Sequence, residues 1–288
     1  MLPCDTRRVS VVLACAVLMA LGAAAAARWG HLAVVVPWSA VPDTTPPDAR
    51  VSAQRFLWHL NLVVVSGLAS GIVAAGAGGR LAMRLLAVTA GDQAQGRITE
   101  ADEVVGRITL GGTVGFIIFV GLFGGLVVGG LYLLLRRWLP PARLGAMAFG
   151  AFLLIVFATR FEPLRADNPD FGLVGPGWLA LATFSALALF HALVLAAVAG
   201  RLSRSLPVLS SQPRTVAAYL PLLFLLLAGP FLLVFLAIAS LATLALRVPT
   251  VGTWWRSAAA ITAGRVVLAA VALLAFPGFA RAVRDIIG

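Results

Sequence analysis

Residues 113–137 read TVGFIIFVGLFGGLVVGGLYLLLRR, an apolar run that carries no charge before its two closing arginines. A helix needs about 20 mostly apolar residues to cross about 30 Å of hydrocarbon, and this run is long enough. Gly121, Gly125 and Gly129 recur every four residues within it, so they lie on one ridge of the predicted helix. Small residues on a ridge let a neighbouring helix backbone approach closely. The stretch therefore predicts a membrane-spanning helix that packs through its glycines.

Six other apolar runs along the chain have a comparable character. Together they predict an all-α protein, a polytopic transmembrane helical bundle with about seven spans and a range of six to eight. The run at 215–246 would be about 48 Å long as one helix, so it either kinks at Gly229-Pro230 or folds as a hairpin. We favour the kinked helix, because two halves of about 15 residues would each be too short to span. The predicted spans are 9–27, 56–79, 113–135, 144–159, 178–200, 215–246 and 258–276.

The composition favours a membrane over water as the surroundings of this chain. Of its 288 residues, 61% are hydrophobic and 11% are charged, whereas a soluble domain carries about 25% charged residues. The positive charges are all arginines, and they lie at the ends of apolar runs, where they reach lipid headgroups. No basic domain stands apart from these runs, so we predict no nucleic-acid partner. The lysine-free composition, rich in alanine, glycine and leucine, indicates a multi-pass protein of a bacterial cytoplasmic membrane.

The chain divides into three predicted parts. Residues 1–28 form an N-terminal signal-anchor or transmembrane helix, 29–55 a Pro-rich linker, and 56–288 a six-span transmembrane domain with a polar loop at 91–111. The first run ends in small residues, as a cleaved signal peptide does, but its 19 apolar residues exceed a usual signal-peptide core and favour a retained anchor. In the polar loop, the alternation at 107–110 indicates a short strand.

The distribution of arginines predicts an orientation. Loops 136–143 and 201–214 each carry three arginines and no acid. With seven alternating spans, both loops fall on the same side as the C-terminal tail with Arg281 and Arg284. We predict that this side is cytoplasmic. The N-terminal Arg7-Arg8 pair then falls on the opposite side, against the same rule.

The second predicted span carries a glycine ridge of its own. Gly67, Gly71 and Gly79 are spaced by multiples of four, as the glycines of the third span are. We expect the two ridges to pack against each other or against a second copy of the chain. The predicted helix-packing residues are Gly67, Gly71, Gly79, Gly121, Gly125 and Gly129.

Two groups of charged residues are candidate functional positions. Arg80 and Arg84 lie one helical turn apart, where they would bind an anionic headgroup or a phosphorylated ligand, or simply reach the membrane surface from a helix end. Glu100, Asp102 and Glu103 cluster in the polar loop, where they would bind a hard cation or carry a proton, or form a solvated loop surface. The ligand spacing of a calcium-binding loop is missing, so we predict no metal.

Two further polar residues are candidates. Asp170 lies in the sequence NPDF at 168–171, which is typical of a turn and alternatively of a loop that dips into the membrane. His191 lies near the middle of the fifth span, where an ionisable group handles a proton or ligand, or bonds to a neighbouring helix. Ser70-Gly71 resembles part of the serine motif of rhomboid proteases, with His191 as a base, but Leu68 replaces the expected glycine. We predict no catalytic residue and no cofactor.

Four strings resemble those of uncharacterised actinobacterial membrane proteins. They are GRLAMRLLA at 79–87, TEAD at 99–102, ITLGGT at 108–113 and NPDF at 168–171. The resemblance covers about residues 55–285 and implies a lineage without an activity.

The sequence leaves three functions open. The favoured one is a non-enzymatic accessory or regulatory component of the membrane, since glycine ridges are present and catalytic motifs are lacking. The alternatives are a small-molecule or ion transporter and an enzyme that acts on lipid-linked substrates through Arg80, Arg84 and the acids at 100–103. The expected partners are the lipid bilayer and either a second copy of the chain or another membrane protein.

Overall fold

The computed structural model describes residues 3–38, 49–100, 102–107, 109–161, 163–165, 167–228, 237, 240–241 and 249–288. Within these ranges the chain is helical and contains no strand, only one isolated bridge between Ile98 and Val104. The helices are α1 (Pro3–Trp29), α2 (Ala49–Thr89), α3 (Leu110–Leu135), α4 (Ala142–Ala158), α5 (Gly177–Leu202), α6 (Pro213–Leu226), α7 (Pro249–Arg256) and α8 (Ala258–Ile287).

Five of these helices, α1, α2, α3, α5 and α8, are long and apolar enough to cross a membrane. The predicted all-α, multi-span architecture is therefore confirmed, but a count of about seven spans is not. α4 and α6 are apolar but have fewer than 18 residues each. About half of the sixth predicted span, including Gly229-Pro230, lies outside the described residues.

Two of the predicted boundaries differ from those in the structure. The side chain of Thr109 accepts a bond from the N–H of Gly112 at 3.0 Å and caps α3, which therefore starts at Leu110. Of the predicted strand 107–110, Thr109 forms this cap and Leu110 is the first helical residue, whereas residue 108 lies outside the described residues. α2 starts at Ala49, so the last part of the predicted linker 29–55 is helical.

Three helices contain widened, π-helical segments. These are Gly71–Gly78 in α2, Ile117–Phe123 in α3 and Leu154–Ala158 in α4. The segments of α2 and α3 lie against each other. A π-helical turn inserts an extra residue into the helix and is often found at functional sites.

The core forms where α5 packs against α1, α2 and α4. α5 presents small side chains there, and Ala192 and Ala197 have no exposed surface. On α1, Gly22 lies against Val73 of α2 and Phe190 of α5. The N-terminal helix is thus packed into the bundle.

One end of the bundle collects the end of α1, the end of α3 and the start of α4. Arg143 Nη2 donates to Ala27 O at 2.7 Å and joins α4 to α1. The rings of Trp138 and Trp255 are 5.7 Å apart and join the end of α3 to α7. We name this the arginine end; it contains residues 136–141, 203–212 and 249–257.

The opposite end collects the two polar loops and the C-terminus. Gly177, at the start of α5, packs directly on the backbone of Ile286 near the end of α8. The N–H of Glu100 donates to Asp170 Oδ1 at 2.9 Å and joins loop 90–109 to loop 159–176. We name this the cap end.

The prediction that the C-terminal tail lies on the same side as loops 136–143 and 201–214 is wrong. Loops 136–143 and 201–214 lie at the arginine end, whereas α8 runs from there to the cap end. The prediction assumed that one helix crosses the membrane between residues 215 and 246. However, α6 starts at the arginine end, where Tyr219 Oη donates to Pro207 O at 2.9 Å, and α7 lies at the same end.

This arrangement can be tested by labelling single cysteines in an otherwise cysteine-free chain. We expect Ser211→Cys and Thr250→Cys to react with a membrane-impermeant maleimide from one side of the membrane. Asp102→Cys and Asp285→Cys should react only from the other side, because they lie at the cap end. All four positions are exposed. Labelling of Thr250→Cys and Asp285→Cys from the same side would contradict the arrangement.

Candidate functional site

The glycine ridges of α2 and α3 meet within one chain, backbone against backbone. A Cβ added to Gly67 would lie 2.6 Å from Gly125 O, and one added to Gly71 would lie 2.7 Å from Gly125 Cα. A Cβ on Gly129 would lie 3.1 Å from Gly67 Cα. At Gly67 and Gly71, no side chain larger than hydrogen fits between these helices.

Gly79 and Gly121 differ in what they meet. A Cβ on Gly79 would lie 2.9 Å from the ring of Phe116, which is a side chain rather than backbone. A Cβ on Gly121 would lie 3.2 Å from the backbone carbonyl oxygen of Gly71. The crossing therefore centres on Gly67, Gly71, Gly121 and Gly125.

A buried polar pair lies beside this crossing. His191 Nε2 of α5 is 3.2 Å from Ser70 Oγ of α2, and the two residues are 8% and 0% exposed. Ser70 Oγ also donates to Gly67 O at 3.2 Å. His191 Nε2 donates to or accepts from the Ser70 hydroxyl, depending on the histidine tautomer. In either direction the pair joins α5 to α2.

The polar loop after α2 is held by its own backbone bonds. Thr99 N donates to Glu103 O at 2.9 Å, and Asp102 adopts a left-handed turn conformation with φ of 57°. Gln95 Nε2 donates to Ala87 O at 2.8 Å and ties the loop back onto α2. The loop is thus a folded turn over the helix ends.

Glu100 and Asp170 join this loop to the loop that precedes α5. Arg165 Nη2 lies 2.5 Å from Glu100 Oε2, and the N–H of Glu100 donates to Asp170 Oδ1. Asp170 is held in turn by its own N–H, which donates to Asn168 Oδ1 at 2.8 Å. Arg165 also pairs with Asp167 at 3.3 Å. The described residues of these joined loops, 90–107 and 163–176, are named the cap.

Arg80 connects α2 to the start of α3 beneath the cap. Its Nε and Nη2 lie 3.3 and 3.2 Å from Thr113 Oγ1, and its guanidinium lies 5.5 Å from the centre of the Phe116 ring. Glu103 and Arg80 both lie beside Gly112. A Cβ added to Gly112 would lie 2.9 Å from Glu103 Oε1 and 3.1 Å from Arg80 Nη2. The structure therefore brings Arg80 and Glu103 together.

The other charged candidates lie apart from this pair. Arg84 and Asp102 are exposed and have no side-chain bond to the part of the chain that the structure describes. Over the same residues, no three His, Cys, Asp or Glu side chains are grouped so that they could hold a metal ion. The candidates are thus spread over the cap, the end of α2 and the bundle interior.

Sequence reasoning missed a row of side-chain donors on α2 near the arginine end. Gln54, Trp58 and Asn61 lie on one helix face, since their spacing is four and three residues. They donate to the carbonyl oxygens of Leu209, Leu206 and Ala218 at 2.8, 3.2 and 2.9 Å, respectively. Gln54 and Trp58 satisfy carbonyl groups of the irregular chain between α5 and α6, and Asn61 satisfies one in the first part of α6. The polar spacing of three and four in an apolar helix was the available signal.

The fold and these sites define an all-helical membrane-embedded protein with several spanning helices. Comparison of the chain with protein-family models, curated proteins and solved structures gives no match in any of the three.

Proposed function

We propose that this protein is a non-enzymatic accessory component of the membrane that presents the cap to a protein partner. The observation that carries the proposal is the link from Glu100 to Arg165 and Asp170, which joins two loops into one folded surface. An enzyme would need these polar groups for catalysis, whereas here they join the two loops. Ile98, which is 63% exposed, and the exposed Asp102 remain on the outside of that surface.

The distribution of charge supports an orientation with the cap outside the cytoplasm of a bacterial cell. Within the described residues, segments 136–143, 201–214 and 249–257 contain arginine and no acid. The cytoplasmic leaflet is anionic and attracts such segments. Of the described acids at the cap end, Glu100 and Asp167 pair with Arg165, and Asp102 is exposed. The arginines of segments 136–143, 201–214 and 249–257 are Arg136, Arg137, Arg143, Arg201, Arg204, Arg214 and Arg256.

A photo-activated cross-linking residue placed at Ile98 or Asp102 tests the proposal in cells. We expect both positions to give one discrete adduct with the same membrane protein, because both lie on the cap. The same residue at Ser211, at the arginine end, is the matched control and should not give that adduct.

A pair of variants then tests whether the joined loops matter. Glu100→Ala removes the link to Arg165 and should lower the adduct yield several-fold. Asp167→Ala removes only the second, more exposed partner of Arg165 and should leave the yield unchanged. If neither cap position gives an adduct, or if both variants behave alike, the proposal fails.

A carrier remains the second candidate, and the π-helical segments of α2, α3 and α4 favour it. A carrier must hydrate its central site in part of its cycle. Ser70→Cys distinguishes the two functions, since Ser70 has no exposed surface in this structure. Reaction of that cysteine with a small water-soluble thiol reagent in membranes would favour the carrier, and protection would favour the accessory component.

A further inference from the structure

A groove opens between α4 and α8 near the arginine end. Its volume is about 260 Å³. Apolar side chains form almost the whole lining, and one cationic side chain, Arg265, stands among them. Lining residues include Trp138, Ala148, Phe152, Arg265, Leu268 and Ala272.

Arg265 is a charge inside an apolar helix. It lies on the second turn of α8, it is exposed, and it makes no hydrogen bond or ion pair with the described residues. An arginine within a spanning helix is costly unless it reaches an anion or the membrane surface, so such residues mark binding sites by default. The charge that would complement Arg265 is not supplied by the described part of the chain.

The aromatic residues at the rim indicate the level in the membrane at which the groove lies. Trp138 lines its outer end and packs edge-on against Trp255, with the Arg137 guanidinium 5.4 Å from the Trp255 ring. Tryptophan side chains of this kind concentrate at the level of lipid headgroups. Arg265 therefore lies close to that level. From there the groove follows α8 inward to Ala272, about 10 Å at 1.5 Å per residue.

We propose that this groove binds an anionic phospholipid of the leaflet at the arginine end. One acyl chain lies along the apolar lining between α4 and α8, and the headgroup phosphate accepts hydrogen bonds from the Arg265 guanidinium. A planar guanidinium matches phosphate oxygens in a bidentate manner. Basic pockets between spanning helices on the cytoplasmic side are typical sites for anionic headgroups. The inference is independent of the cap and of its partner.

The test titrates lipids onto the purified full chain in detergent and counts retained lipid by native mass spectrometry. We expect phosphatidylglycerol to be retained and phosphatidylcholine with the same acyl chains to be lost, because the choline ammonium of the second lipid offsets the phosphate charge that Arg265 binds. Arg265→Gln should weaken phosphatidylglycerol binding about tenfold, the value of one charge-assisted hydrogen bond. Arg281→Gln removes an exposed arginine of the same helix at the cap end and should bind like the unchanged protein.

Two further arms separate the acyl chain from the headgroup. Ala272→Phe fills the inner part of the groove, keeps Arg265, and should also weaken phosphatidylglycerol binding. Glycerol phosphate alone should not displace the lipid, because it lacks the acyl chain. Equal binding of both lipids, equal behaviour of Arg265→Gln and Arg281→Gln, or displacement by glycerol phosphate would each overturn the proposal. If Arg265→Gln does not fold, Ala272→Phe together with Arg265→Lys decides the same question.

Discussion

Gly125→Leu is expected to prevent the bundle from folding, with a loss of stability above about 4 kcal/mol. A Cβ at this position would lie 2.9 Å from Gly71 Cα, 3.1 Å from Gly67 C and closer still to Gly67 O. All three are backbone atoms, so no side-chain rotation relieves the overlap. The helices can accept the leucine only if α2 and α3 separate, which removes the contact between their π-helical segments.

The neighbouring glycine is the matched control. A Cβ on Gly124 meets nothing within 4 Å, so Gly124→Leu adds the same side chain to the same helix on a free face. We expect Gly124→Leu to elute as a single species on size exclusion and to unfold in detergent at nearly the original temperature. Gly125→Leu should aggregate or elute broadly. Similar profiles for the two variants would show that α2 and α3 do not cross at these glycines.

Trp58→Ala is expected to have the second-largest effect, a destabilisation of about 3–5 kcal/mol. Trp58 has no exposed surface, and its ring packs edge-on against Trp38 and His59 at 5.3 and 5.2 Å. Its Nε1–H also donates to Leu206 O. The substitution therefore opens a cavity and leaves a buried carbonyl group without a donor, which adds about 1–3 kcal/mol of desolvation cost.

Two other variants separate the causes of this effect. Trp58→Phe keeps most of the ring but loses the donor, so it should cost less than Trp58→Ala and report the bond to Leu206. Trp178→Ala removes a tryptophan that is 59% exposed and should change the unfolding temperature little. The measurement is the unfolding midpoint in detergent. A Trp58→Ala protein as stable as Trp178→Ala would refute the anchoring role of this residue.

The two effects have different physical origins. Lipid is as apolar as a leucine side chain, so burial of apolar surface drives helix association weakly in a membrane, and close backbone packing takes its place. The chain between α5 and α6 has irregular backbone near the bundle, and its carbonyl groups must find donors within the protein. The glycines serve the first requirement, and Gln54 and Trp58 of the donor row serve the second.

Much of the architecture was predictable because the bilayer imposes it. An apolar run such as 113–135 must satisfy its backbone internally and therefore forms a helix. The glycine spacing also identified the faces on which α2 and α3 meet, because a helical repeat places every fourth residue on one ridge. Neither inference needs to know which distant segments come together.

The candidate site depended on contacts between distant residues. Arg165 and Glu100 are 65 positions apart, and His191 and Ser70 are 121 positions apart. Sequence reasoning chose Glu100, Asp170 and His191 for their charge or their depth. It could not assign their partners, because spacing along the chain carries no information on which loops or helices become neighbours.

The sequence alone determined that this protein is a helical membrane protein and where its helices can approach closely, because hydropathy and helical periodicity are properties of each segment. Only the tertiary structure decided that α7 lies at the end where α6 begins, and hence that the C-terminus lies at the cap end. Hydropathy measures how long an apolar run is, and the direction in which the chain leaves that run depends on packing against the rest of the bundle.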